Sequence, residues 1–243
     1  MTLKEEAAEK WFGYGTWSAP FWFIGMEQGG MDDDDHIGWE NAWKDLGGTE
    51  LIDCRTHHLN MGKEGNLRWH GPSSRLQNTW GPLIKLLLAF KNPDKPVDLS
   101  SAKEYQRTQW GFSQGETVVA EILGTRAQGL WEKNDLREVY RTNRIQIFKQ
   151  RLKEHIPVFA VFYGRGNQHI HEQIVGQRFQ MDEEEFAGFA WHGKTLCVHV
   201  KHPVAHGIFG HQWVELGKKI RHSLNDSFHR NRQPIQCQEL GEV

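Results

Sequence analysis

The sequence predicts an α/β fold layered around a mostly parallel central sheet, and three observations carry that prediction. Four short apolar runs, FWFIG (21–25), TVVAE (117–121), VFAVFY (158–163) and TLCVHV (195–200), are each closed by glycine or a polar loop. Stretches with helical spacing of apolar residues lie between them. The runs are near-continuously apolar rather than alternating, the pattern of strands covered on both faces.

Taken in order, KEEAAEKWF (4–12) spells a short amphipathic helix, and PFWFIG (20–25) a strand introduced by Pro20 and stopped by Gly25. MDDDDH (31–36) is too charged to pack and predicts a solvated loop, an exposed turn or helix start rather than a metal site. WENAWKDLG (39–47) carries Trp39 and Trp43 at helical spacing, and ELIDCRTHHLN (50–60) a short strand or helix followed by a polar loop. Residues 61–75 read as a surface loop, and RLQNTWGPLIKLLLAF (75–90) as a helix interrupted at Gly81-Pro82. Residues 91–103 read as another loop before the strand TVVAEILG (117–124). The longest helix is expected over 136–156, with Leu136, Val139, Tyr140, Ile147 and Leu152 as its apolar face and Pro157 ending it. The third strand, a short helix over 167–176, the fourth strand to Pro203 and a last helix over 207–224 complete the pattern, and the tail after His222 is expected to fray.

At 243 residues the chain fits one domain, 1–243, with a core over about 20–222 and a polar tail at 223–243. Eleven Trp and 13 Phe supply apolar area. With 29 Lys+Arg against 31 Asp+Glu, the overall field does not favour nucleic acid, so any such binding must come from a local patch. Three cysteines, Cys54, Cys197 and Cys237, form no CxxC pair, which argues against a cysteine zinc site or an iron–sulfur cluster and for a reducing compartment. MTLKEEAAEKW lacks a signal-peptide pattern, and no apolar run approaches the ~18 residues of a membrane span. A cytoplasmic monomer is expected, with no membrane, metal or cofactor.

In parallel sheets ligands bind beyond the carboxyl ends of the strands. That rule selects the loops carrying Glu27, Glu121 to Gly124, Gly164 to Asn167, and His202-Pro203. Glu27, in a glycine-rich turn, and His202 then face one pocket as a carboxylate and an imidazole fit for acid–base work. Singly, Glu27 reads rather as a carboxylate capping its own turn through backbone N–H groups, and His202 as a satisfied histidine at a helix entry; together on strand ends they favour the functional reading.

GMEQGG (25–30) resembles the first motif of the uracil-DNA glycosylase superfamily, a strand followed by G-Q-D-P-Y, G-E-A-P-G, G-M-N-P-G or G-I-N-P-G. HPVAHG (202–207) is similar to its second motif, a strand ending in His-Pro before a helix. The element order over 117–220 also matches, so the resemblance covers about 20–220. It implies a three-layer α/β/α sandwich with a short, mostly parallel central sheet. It further implies a metal-independent DNA glycosylase that flips a damaged or deaminated base and hydrolyses its bond to the sugar, on single- or double-stranded DNA. By that similarity Glu27 positions water and His202 holds the leaving base as catalytic residues. Gly25, Met26, Gln28, Gly29, Trp69, Glu121 and Asn167 line the substrate; Arg68, Arg75, Arg165, Val204, Ala205 and His206 touch DNA.

Within this resemblance Gln28 replaces a proline, and Glu121 stands where uracil-specific members carry an asparagine. An ionised carboxylate only accepts hydrogen bonds, which suits a guanine- or xanthine-type base or the amino group of cytosine. Alternatively Glu121 pairs with Arg126 or Arg165. Trp69 is the candidate stacking aromatic, and Trp80 belongs to the core.

Two other readings compete. His199, His202, His206 and His211 suggest a metal hydrolase, although their spacing lacks the H-E-x-x-H pattern. Arg55, His57, His58, Lys63, Arg68, His70 and Arg75 form a basic stretch that would track phosphates in a non-catalytic nucleic-acid-binding relative, or an ordinary solvated loop. Gly164-Arg165-Gly166 alone is weak evidence for a phosphate cradle.

Overall fold

The four apolar runs become the middle of one sheet. The computed structural model describes residues 1–26, 33–61, 69–124 and 135–230, with side chains at 33–37, 135–138, 165 and 228–230 outside the description. In chain order the elements are α1 (Leu3–Lys10), β1 (Gly13–Tyr14), β2 (Phe21–Gly25), α2 (Asp33–Asp45), β3 (Leu51–Ile52), α3 (Cys54–Asn60), α4 (Trp80–Lys91), α5 (Leu99–Thr108) and β4 (Thr117–Glu121). Then follow α6 (Asp135–His155), β5 (Phe159–Tyr163), a 3-10 turn (Arg165–Asn167), α7 (Gln168–Val175), β6 (Gln180–Met181), β7 (Ala187–His192), β8 (Thr195–Val200) and α8 (Gly210–Arg230).

The strands form one mixed sheet in the order β3-β1-β4-β2-β5-β8-β7-β6. Its central pairs β4-β2, β2-β5 and β5-β8 are parallel, as is β1-β3, whereas β1-β4, β7-β8 and β6-β7 are antiparallel. Alternation explains why the central runs are apolar throughout. Phe21, Phe23, Val161 and Val198 join a core with Leu83 and Leu87 of α4 and Trp213 and Ile220 of α8. Trp22, Ile24, Ala160 and Phe162 join a second core with Ile145, Phe148 and Leu152 of α6 and Ile170 and Ile174 of α7.

Several sequence expectations are corrected. Of the readings of the acidic run, the structure has the helix start rather than the solvated loop: α2 begins at Asp33, since carboxylates favour a helix N-terminus. Gly81-Pro82 lies in the first turn of α4 rather than breaking it; there proline's missing N–H has no partner to lose. The expected loop at 91–103 contains the start of α5, whose cap is Asp98 accepting from the Ser101 N–H at 2.7 Å. In α6 Val139 is exposed, and the inward face runs through Arg144, Ile145, Phe148 and Leu152. The last helix continues past His222 to Arg230. The β7–β8 hairpin was not expected, although AGFAWHGKTLCVHV holds its signal: two strands around Gly193-Lys194, with Gly193 at φ 59°. No helix among the described residues is long and apolar enough to cross a membrane.

Candidate active site at the strand ends

The register of the parallel strands brings their carboxyl ends to one edge. Gly25 stands opposite Glu121, Ile24 opposite Phe162, and Tyr163 opposite Val200. The residue following each end is thereby fixed as well: the Ile122 N–H donates to the Gly25 carbonyl at 2.9 Å, and the Leu123 N–H to the Met26 carbonyl at 2.7 Å.

Gly25 owes its place to space rather than to backbone freedom, since its φ is not positive. A Cβ there would land on the Glu121 carboxyl and 2.6 Å from the Tyr163 ring. Without it the two side chains meet over the glycine, and the Tyr163 O–H donates to Glu121 Oε1 at 3.2 Å. Glu121 Oε2 is enclosed and has no hydrogen-bond partner among the described residues. Burial raises the Glu121 carboxyl to about 8, against the smaller opposing effects of the Tyr163 hydroxyl and the Arg144 charge. Burial likewise holds the Tyr163 phenol well above its ordinary value.

This changes the chemistry expected of Glu121. At neutral pH the carboxyl is mostly protonated, so it both donates and accepts, the pattern of an amide. Of its two candidate arginine partners, Arg126 and the Arg165 side chain lie outside the described residues.

His202 follows β8 and packs its ring edge-on against Tyr163, with centroids 5.6 Å apart at 64°. It is half-buried, and burial lowers its pKa. The Val204 N–H lies 3.4 Å from His202 Nδ1, a long contact that favours the neutral tautomer carrying its proton on Nε2. Glu121, Tyr163 and His202 thus form a continuous row across three strand ends.

The support beneath is Arg144, which the sequence pattern of α6 did not single out. It is 1 % exposed and stacks on Phe12 at 3.9 Å. Its guanidinium donates to the carbonyls of Glu121 (2.9 Å), Ile122 (2.7 Å), Ala8 (3.1 Å) and Glu9 (3.2 Å). One cation therefore pins the exit of β4 to the end of α1.

Glu27, Gln28, Gly29 and Arg68 lie outside the described residues. The Met26 side chain is buried in the second core. Asn167 ends the turn after β5, where its N–H donates to the Gly164 carbonyl at 3.0 Å. Trp69 is partly buried against the α4 core, and its carbonyl accepts from Gln106 Nε2 at 3.0 Å. Trp80 is in the core and stacks on His58, as expected of a packing residue. Arg75 is exposed, as are Val204 and His206 in the loop after His202, while Ala205 is half-buried and Pro203 buried.

The histidines do not assemble as the competing readings require. His199 is 1 % exposed on the α7 side of β8, where its Nδ1 lies 3.0 Å from that of His171. Among the described residues no three of His199, His202, His206 and His211 converge on a common point. In the basic stretch His57, His58 and His70 are buried and unavailable to phosphates. They belong instead to a cluster with Tyr14 and Cys54, the one group of three or more candidate metal ligands among the described residues being Cys54, His58 and His70.

A broad hollow of about 620 Å³ lies elsewhere, beside Trp17, and its carboxylate, Glu50, is already bound by Arg151 at 2.7 Å and the Trp17 indole at 2.7 Å. No family model matches the chain, and no curated protein matches it.

Proposed function

We propose that the protein is a divergent relative of the uracil-DNA glycosylase superfamily, with the three-layer α/β/α arrangement of that fold, and that it hydrolyses the N-glycosidic bond of a flipped base in DNA in the cytoplasm. The observation that carries this reading is the row of Glu121, Tyr163 and His202 at the ends of β4, β5 and β8, on the same sheet edge at which β2 ends two residues before Glu27 in sequence. As the bond to the base breaks, positive charge develops on the sugar and negative charge on the base. A carboxylate at Glu27 stabilises the first and takes a proton from the attacking water. A neutral His202 donates its Nε2–H to a carbonyl oxygen of the departing base.

Turned outward from its enclosed position over Gly25, a protonated Glu121 would pair with a base edge that presents a carbonyl and an N–H side by side. Uracil, hypoxanthine and xanthine all carry that edge, so the carboxyl at this position is compatible with a deaminated base. A purely binding role is less well supported, because the histidines of the basic stretch are buried.

The test is incubation with single- and double-stranded oligonucleotides carrying uracil, hypoxanthine, xanthine or a mismatch, scoring abasic sites. Release of at least one base by the wild type, its loss in Glu27→Gln, and retained DNA binding by that variant are expected. No release from any substrate overturns the reading.

A further inference from the structure

We propose that Cys54, His58 and His70 form a binding site for a divalent ion of the zinc class, separate from the strand-end row and independent of the glycosylase reading. One ligand atom from each lies within 4.8 Å of the others. Cys54 and His58 are four residues apart on α3, so they share one face of that helix. His70 arrives from a different segment, and its Nε2 lies 2.8 Å from His58 Nδ1.

The local structure holds these donors in place. Asp53 caps α3, accepting from the Thr56 N–H at 2.9 Å, and its second oxygen accepts from the Ser113 N–H at 3.0 Å. The Cys54 N–H donates to the Gly111 carbonyl at 3.0 Å. Gly111, at φ 68°, passes so close that a Cβ would sit 2.9 Å from Tyr14 Cβ and 3.1 Å from Cys54 Cβ. His58 is braced by Trp80, stacked at 5.8 Å and 11°.

The donor chemistry fits zinc. A thiolate with two imidazoles is a borderline-soft set, and three protein donors leave a fourth tetrahedral position for water. Histidines that bind metal orient themselves by hydrogen bonding through the other ring nitrogen. If His58 binds through Nδ1, its Nε2 lies 3.3 Å from the Tyr14 hydroxyl, which is such a partner. The Tyr14 hydroxyl is in turn 3.2 Å from His57 Nδ1, and His57 Nε2 is 3.1 Å from the Trp39 carbonyl. His70 is 4 % exposed, and its Nδ1 has no partner among the described residues. An ion binding here would replace the His58 Nδ1–His70 Nε2 hydrogen bond with two metal–nitrogen bonds. Donors of a tetrahedral zinc site stand ~3.3–3.7 Å apart, so binding requires only side-chain adjustment from the present spacing. The thiol proton leaves to solvent as the sulfur–metal bond forms.

The experiment is zinc analysis of the full chain after exposure to Zn²⁺ and removal of excess, together with Co²⁺ titration of the metal-free chain. Expected are one equivalent of zinc, the visible bands of tetrahedral cobalt, and a near-ultraviolet thiolate-to-cobalt band lost in Cys54→Ala. Zinc at a hundredfold excess over Kd raises the wild-type Tm by about 5–10 °C and leaves His70→Gln unmoved. The absence of a thiolate-to-cobalt band in the wild type overturns the proposal whether or not the variants fold. So does zinc binding that survives both substitutions, which places the ion on other histidines.

Discussion

At the strand ends Glu121, Tyr163 and His202 follow β4, β5 and β8 of one sheet, with β2 and its Gly25 between the first two, and the row opens at a half-buried imidazole. Beside β1 the contrasting cluster of Tyr14, Cys54, His57, His58 and His70 comes from three separate segments and is buried. In both places low polarity forces titratable groups toward their neutral forms, the Glu121 carboxyl up to about 8 and the His70 imidazole down to about 4. The difference lies in what orders them. The first row is placed by strand register, so its geometry follows from the backbone. The second depends on side chains packing against each other. A strand-end site should therefore lose one side chain at little cost to its frame, whereas the buried cluster should lose more stability for the same change.

The largest expected effect separates function from folding. His202→Ala should slow base release by ~10²–10³-fold, the loss typical of one charge-stabilising donor, with Tm little changed. His58→Ala should do the reverse, destabilising by ~2–4 kcal/mol through lost packing and an uncompensated Tyr14 network. Single-turnover kinetics and thermal melts on both variants check this; equal Tm losses break the comparison.

Next is Arg144→Met, which leaves the Glu121 and Ile122 carbonyls without their buried donor. A loss of ~2–4 kcal/mol is expected in denaturant melts, and base release should fall as the end of β4 loosens. Gly25→Ala comes next at ~1–3 kcal/mol, because the new methyl lands on the Glu121 carboxyl and crowds the Tyr163 ring. A variant as stable as the wild type would show that the two side chains have room to part.

The smallest effects are on the pH dependence of stability, and they run in opposite directions. Glu121 has a folded pKa of about 8, above its unfolded value of about 4.3. The folded state therefore holds the extra proton between those values, and stability is lost as pH rises through that window. The Tm of Glu121→Gln should gain on the wild type from pH ~5 to ~8 and then run parallel. His70 has a folded pKa of about 4, below its unfolded value of about 6.5. There the unfolded state takes the proton first, and stability is lost as pH falls through that window. In the metal-free chain, His70→Gln should flatten the acid limb. Parallel Tm curves for either variant and the wild type refute the corresponding shift.

Much of the frame was legible in the chain. Each central strand was visible because both its faces are covered, which leaves an uninterrupted apolar run. The rule that sites gather at carboxyl ends selected the loops carrying Glu27, Glu121, Gly164 to Asn167 and His202 before any contact was known; of these, Glu27 lies outside the described residues. Tyr163 and Arg144 were missed because each resembles its neighbours in sequence: one closes an apolar strand, the other lies in a helix rich in arginine.

By itself the sequence determined the α/β class, the order of the major elements and the residues that end the central strands, since these depend on local periodicity and on glycine and proline. Only the tertiary structure decided the protonation of Glu121, the role of Gly25 as a gap rather than a hinge, and the gathering of Cys54 and His58 with His70. Those properties depend on burial and on contacts between segments distant along the chain. The charge state of a side chain is set by the surroundings that folding gives it.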